Sequence, residues 1–235
     1  EVVILSRNDP ETGMRVMRSV AHHGLDITRA IFMQGRAPYR FMKPLRMSLF
    51  LSANEDDVRE AIDMGFAAGR VMGHAAPDDG DTDLRIAFDF DGVLADDSAE
   101  RVFQSEGLDG YQESESALAE VPLSRGPMAD FLEKINRIQG IEESNSLDDP
   151  SGYRRRVHVA VVTARSAPAH ERAINSIGQW GLRVNDAFFL GGIDKGPILE
   201  VLRPHIFFDD QRRHVEGAAL STPSVHIPFG AINRQ

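Results

Sequence analysis

Asp89 and Asp91 put two carboxylates two residues apart, directly after Leu84–Phe88, a run with little polar content, and directly before Gly92. Side chains at i and i+2 of an extended segment point the same way, so both acids can face one ligand. Like charges held that close repel unless a cation or a shared proton relieves them. Such a pair suits phosphoryl transfer, in which one carboxylate attacks and the other moves a proton. A solvated acidic turn after a strand has the same local pattern, so the pair carries weight only with partners elsewhere in the chain.

Three downstream segments supply them, in order. The valine-rich run Val157–Val162 ends at Thr163, whose hydroxyl and the backbone N–H of Ala164 can hold a phosphoryl oxygen. Lys195 opens the apolar stretch Lys195–Leu199, and Ile206–Phe208 runs into Asp209 and Asp210. Each is weak alone: Thr commonly ends strands, a Lys before a helix is usually solvated, and Asp-Asp after a strand often caps a helix. The elements that must position them read as buried strands of a parallel sheet, in which ligands sit beyond the carboxyl ends.

This ordered series resembles the haloacid dehalogenase superfamily, whose motifs are an Asp-x-Asp strand end, a Ser/Thr strand end, a Lys and a terminal acidic pair. The phrases Leu190–Gly192, Val162–Arg172 and Phe207–Gln211 narrow the resemblance to the cytosolic 5′-nucleotidase I family, as do Ser6–Pro10, Gly24–Ala30 and Leu51–Asn54 near the start. Phe90 and Gly92, on either side of Asp91, are closer to the superfamily at large. The implied fold is α/β: a Rossmannoid parallel sheet with helices on both faces, a small helical cap, and a degenerate βα repeat in the N-terminal half.

The resemblance also implies roles. Asp89 is expected to be the nucleophile forming an aspartyl-phosphate, with Asp91 as general acid and then base. Mg2+ is expected between Asp89, the backbone carbonyl of Asp91 and the pair Asp209/Asp210, an all-oxygen site suited to a hard cation. Thr163, Ala164 and Lys195 are expected on the phosphoryl oxygens, with Arg165 following the phosphate-binding strand and able to reach substrate. The implied reaction is hydrolysis of nucleoside 5′-monophosphates. The alternatives are a phosphatase of the same mechanism acting on a sugar phosphate, and a non-catalytic protein built on a decayed enzyme. Family likeness further implies a homo-oligomer.

Composition narrows the partners. A chain of 235 residues can bury a substantial core. Its net charge of −10 disfavours binding to a nucleic-acid polymer, although a metal and a lysine can override that field locally for a small phosphomonoester. Without cysteine, neither disulfides nor thiolate chemistry is possible. No apolar run approaches membrane-spanning length and no signal peptide is visible, so the expected location is cytoplasmic.

The chain also repeats itself at an ungapped offset of 157 residues: Val2 falls on Val159, Ser6 on Thr163, Gly24-Leu25 on Gly181-Leu182, Gly35 on Gly192 and Phe50 on Phe207. Where the second copy has Lys195, Asp209 and Asp210, the first has Pro38, Ser52 and Ala53. Residues 1–75 are therefore expected to form a degenerate half, 76–83 an acidic linker, and 84–235 the catalytic domain with a cap insertion at about 96–125. The chain opens inside a strand pattern, and the family carries a further strand and helix upstream, so the first half is expected to be incomplete as numbered here. Glu142–Tyr153, acidic and rich in Ser and Asn, is expected to be a mobile loop. His170, His205 and His214 lack ligand spacing and read as structural, Trp180 as packed on the sheet, and Gly191-Gly192 as a turn.

Overall fold

A computed structural model describes residues 1–73, 80–149 and 152–233. The chain divides into two compact units, Glu1–Phe50 and Leu51–Gln235. The division falls at residue 50, so the segment 51–73, expected to close the first half, belongs to the larger unit. Residues 75–79 of the acidic stretch lie outside the described residues.

In the first unit β1 (Val3–Ser6) pairs in parallel with β2 (Arg29–Phe32), joined by α1 (Pro10–His22). Asp9 caps α1 through its bond from the Thr12 N–H, and Pro10 opens it without losing a hydrogen bond.

Strand β3 (Phe50–Ser52) begins at the division, and the larger unit continues with α2 (Glu55–Asp63), β4 (Ala68–Met72) and β5 (Leu84–Phe88). Next come α3 (Ser98–Ala117), α4 (Ala129–Asp148), β6 (Val157–Thr163), α5 (His170–Gln179) and β7 (Asp186–Phe189). It ends with α6 (Gly196–Leu202), β8 (Ile206–Asp209), α7 (Arg212–Ala218) and β9 (Ser224–His226). Its seven-stranded sheet runs in the order β3-β4-β9-β8-β5-β6-β7. Neighbours from β9 to β7 are parallel, and β4 is antiparallel to β9.

Because successive strand residues face opposite ways, β5 and β8 serve two cores. Phe88 and Phe208 stack with centroids 5.1 Å apart beneath Phe131 of α4. Ala87 and Phe207 face the other layer with Leu199 of α6 and Ala218 of α7. Helices thus cover both faces, as a parallel sheet requires.

The repeat is written in the backbone. The β1–β2 register runs from Val3↔Arg29 to Ser6↔Phe32, and β6–β7 runs from Ala160↔Asp186 to Thr163↔Phe189, the same pairing shifted by the sequence offset. Left-handed residues recur in step as well: Gly24, Gln34, Gly35, Arg46 and Gly73 in the first copy match Gly181, Gly191, Gly192, Arg203 and Gly230 in the second. After β3 the Asn54 N–H bonds Ser52 Oγ at 3.1 Å, and after β8 the Gln211 N–H bonds Asp209 Oδ1 at 2.7 Å. The turn that presents a carboxylate in one copy presents a hydroxyl in the other. Within the large unit, β3-α2-β4 and β8-α7-β9 meet through the antiparallel pair β4–β9, so the order β3-β4-β9-β8 is palindromic under the repeat.

One expectation fails. Glu142 is not in a mobile loop, because α4 continues to Asp148 and buries that residue to 6% exposure. Its carboxylate accepts the Arg156 and Val157 N–H groups at 2.9 and 3.1 Å, fixing the entry to β6. A polar composition read as solvated is here partly spent on backbone donors. The following Pro150 and Ser151 lie outside the described residues.

Candidate active site

β5 lies between β6 and β8, so Asp89, Thr163 and Asp209 arrive at the carboxyl ends of three adjacent parallel strands. Lys195 comes in from the start of α6, and its Nζ lies 2.9 Å from Asp89 Oδ1 and 2.6 Å from Asp209 Oδ2. Asp89, Asp209 and Asp210 each offer an oxygen within 4.8 Å of the others, and all three are buried. Gly92 makes this approach possible. Its φ of 70° is left-handed, and a Cβ there would lie 2.3 Å from Asp210 Oδ2.

The acidic pair is unequal. Asp209 is fully engaged: Oδ2 accepts from Lys195 and stands 3.2 Å from His214 Nδ1, while Oδ1 accepts the Gln211 N–H. Among the described residues, Asp210 Oδ1 is buried without a hydrogen-bond partner, although a buried polar atom normally has one. Three buried carboxylates face one lysine. Burial first, then the negative neighbours, raises Asp89 to about 7 against the pull of Lys195, and the same causes raise Asp210 well above the usual carboxylate range. Burial also acts against the charge of Asp209, but Lys195 and then His214 outweigh it and hold that acid low. A buried, oxygen-lined site with excess negative charge and an orphaned carboxylate oxygen fits a hard divalent cation on Asp89 and Asp210.

Asp91 points elsewhere. Arg165 Nε donates to Asp91 Oδ2 at 2.8 Å and Nη2 donates to Oδ1 at 2.6 Å. Its Nη1 pairs with Glu115 of α3, which in turn accepts from Arg172 Nη1 at 2.7 Å. The Arg165 and Glu115 side chains are 1% and 2% exposed. Arg165 was expected to follow the phosphate-binding strand and to be able to reach substrate. Its fork is instead committed to these acids, with Cζ 5.1 Å from the Phe90 ring and 5.9 Å from that of Tyr111. The pairing with Glu115 spans 50 residues and had no sequence signal.

These groups floor a cavity of about 800 Å³ whose wall includes Asp89, Asp91, Thr163, Ala164, Arg165 and Asp210. Gly191 and Gly192, read as a plain turn, also line it, their N–H groups bonding the carbonyls of Arg165 and Ala164 at 3.1 Å each. Lys195 and Asp209, 2% and 0% exposed, are buried behind the wall. The kinked helix α3, left-handed at Gly107, contributes Glu100, Phe103, Leu108, Tyr111 and Gln112. Phe103 is 44% exposed and meets Tyr111 edge-on at 89°.

Of the histidines, His170 packs edge-on against Phe189 and His205 Nδ1 accepts the Arg85 N–H. His214 reaches the site, through Asp209. Trp180 stacks on Phe90 and donates Nε1–H to the Leu123 carbonyl.

A family model described as 5′-nucleotidase matches residues 1–234. Cytosolic 5′-nucleotidase 1B of Homo sapiens is 36% identical over 223 residues, covering 93% of this chain and 35% of that protein. The chain thus spans about a third of the length of that relative. No solved structure matches. Among the described residues, no helix is long and apolar enough to cross a membrane.

Proposed function

The chain belongs to the 5′-nucleotidase family, and from that premise we propose that it hydrolyses nucleoside 5′-monophosphates to nucleoside and phosphate through an aspartyl-phosphate on Asp89. The observation that carries this reading is the arrangement of Asp89: at a strand end, on the cavity wall, 2.9 Å from Lys195 and beside the unpartnered oxygen of Asp210.

Asp89 and Asp210 would hold Mg2+ through their side chains and Asp91 through its carbonyl, with Asp209 behind them as the anchor of Lys195. When bound, the ion would withdraw charge from the phosphoryl oxygens and favour the carboxylate form of Asp89. Asp89 then attacks phosphorus in line with the leaving ribose oxygen. Asp91 protonates that oxygen and later takes a proton from the attacking water, which requires one of its oxygens to leave the Arg165 fork. Thr163 Oγ1, which accepts the Arg165 N–H at 3.2 Å, keeps its own proton for a phosphoryl oxygen, and the Ala164 N–H supplies a second donor. Lys195 balances the charge on Asp89 from behind. Residues 96–125 act as the cap that meets the nucleoside, residues 84–235 as the catalytic domain and residues 1–75 as the degenerate half. The cytoplasmic setting and a homo-oligomeric state belong to the same proposal.

Phosphate release from a panel of nucleoside monophosphates and sugar phosphates, with and without Mg2+, tests the reading. Preference for nucleotides and loss of activity in chelator are expected. Equal or better turnover of sugar phosphates would move the chain to the alternative phosphatase, and no turnover of any phosphomonoester would remove the enzymatic reading.

A further inference from the structure

The carbonyl of Asp210 is held from two sides. Asn233 Nδ2 donates to it at 2.9 Å and also to the Phe229 carbonyl at 2.8 Å, and His226 Nε2 lies 3.0 Å from it. His226 Nε2 is also 3.1 Å from Asn233 Oδ1. Both neighbours of that nitrogen are acceptors, so it carries the ring proton. Asn233 is placed in turn by the degenerate copy: Arg59 of α2 donates Nη1–H to the Asn233 carbonyl at 2.7 Å, across 174 residues of sequence. Glu55 aims the guanidinium, taking Nη2 and Nε at 2.6 and 3.1 Å, and is itself fixed by Arg70 of β4 at 2.5 Å. Asp97, at the start of α3, accepts the Ala231 N–H at 2.7 Å and steadies the same segment.

The repeat sharpens this. The offset places Glu55 on Arg212 and Arg59 on Glu216, which form their own pair at 2.8 Å with the charges exchanged. In the first copy the cation of this pair turns toward the 229–233 segment. Ser52 and Ala53 have lost the acids of the second copy while the neighbouring helix has kept, or acquired, a contact that ends on one of those acids.

We propose that the degenerate copy serves the active site as a brace: Arg59, acting through Asn233, fixes the backbone of Asp210 so that its unpartnered carboxylate oxygen stays aimed at a divalent cation. Arg59 and Asn233 are positioning residues, and the inference rests on the metal site described above. Partners of this kind that orient a ligand characteristically change metal affinity by about ten- to a hundredfold when removed.

The test is Mn2+ affinity of the full chain, by calorimetry or by loss of the free-ion paramagnetic signal, alongside thermal melting. Arg59→Ala and Asn233→Ala should each weaken Mn2+ binding about tenfold, with Arg59→Lys recovering most of the loss. Glu216→Ala, which breaks the mirror-related pair, should shift affinity less than twofold. Wild-type affinity in both Arg59→Ala and Asn233→Ala overturns the brace, as does an equal loss in Glu216→Ala, which would make the effect one of general stability. Should Arg59→Ala fail to fold, Arg59→Gln carries the same comparison. A wild-type chain that binds no Mn2+ removes the metal reading itself, and the brace with it.

Discussion

Arg165 grips both carboxylate oxygens of Asp91, Nε on Oδ2 at 2.8 Å and Nη2 on Oδ1 at 2.6 Å, while its remaining nitrogen is engaged by Glu115 of α3. The second acid of the strand-end pair is therefore tied, through one guanidinium, to a helix that lines the cavity. Arg165→Ala should lower stability by about 3 kcal/mol, because it leaves buried carboxylates with too little positive charge. Arg165→Lys should fall between, since an ammonium cannot bridge two carboxylates as a planar fork does. Denaturant midpoints measure this, and an Arg165→Ala protein as stable as wild type would contradict it.

Asp89→Asn should abolish turnover with the fold retained. The amide is isosteric but cannot attack phosphorus, and the expected loss in kcat is at least about a thousandfold. Circular dichroism checks the fold. More than a tenth of wild-type activity would remove Asp89 from the role of nucleophile.

The buried acids make the metal-free protein sensitive to pH. Asp89 is raised to about 7 and Asp210 is also raised, so the folded chain keeps protons that the unfolded chain has lost. These groups favour folding at low pH, and their contribution falls as pH rises from the ordinary carboxylate range through about 7. Mg2+ competes with those protons, so the rise in Tm it produces should be larger at pH 8 than at pH 6. Melting curves at both values with and without Mg2+ decide it; a larger rise at pH 6 would mean that these acids are not the ligands.

Phe103 leaves apolar surface in a charged cavity, held edge-on to Tyr111, and a planar base is the part of a nucleotide that would cover it. Phe103→Ala should lower the ratio of kcat/KM for nucleoside monophosphate to that for ribose 5-phosphate about tenfold, in keeping with the loss of an aromatic–base stack. Phe103→Trp should preserve the ratio. If alanine leaves it unchanged, the base is read elsewhere in the cavity.

The three strand ends at Asp89, Thr163 and Asp209, the lysine at the start of a helix between the last two, and the repeat were legible in the sequence because each depends on local rules. Leu84–Phe88 is a buried strand wherever it sits, a carboxylate that follows it emerges at the strand end, and a duplicated chain keeps its left-handed turns at a fixed offset. Even Ser52 was placed correctly opposite Asp209, since the same turn carries both. What the sequence left open depends on contacts between distant residues. Asp209 and Asp210 are adjacent and chemically identical, and the arrival of Lys195, His214 and the Gln211 N–H at one of them, with an oxygen of the other left unpartnered among the described residues, separates their surroundings. Glu142 and Glu115 look like surface acids in sequence, but one captures backbone N–H groups and the other the two arginines. A side chain's type and spacing fix what it can do; which charge it meets in the interior depends on how the layers pack, and low-dielectric burial makes that meeting decide its protonation and its use.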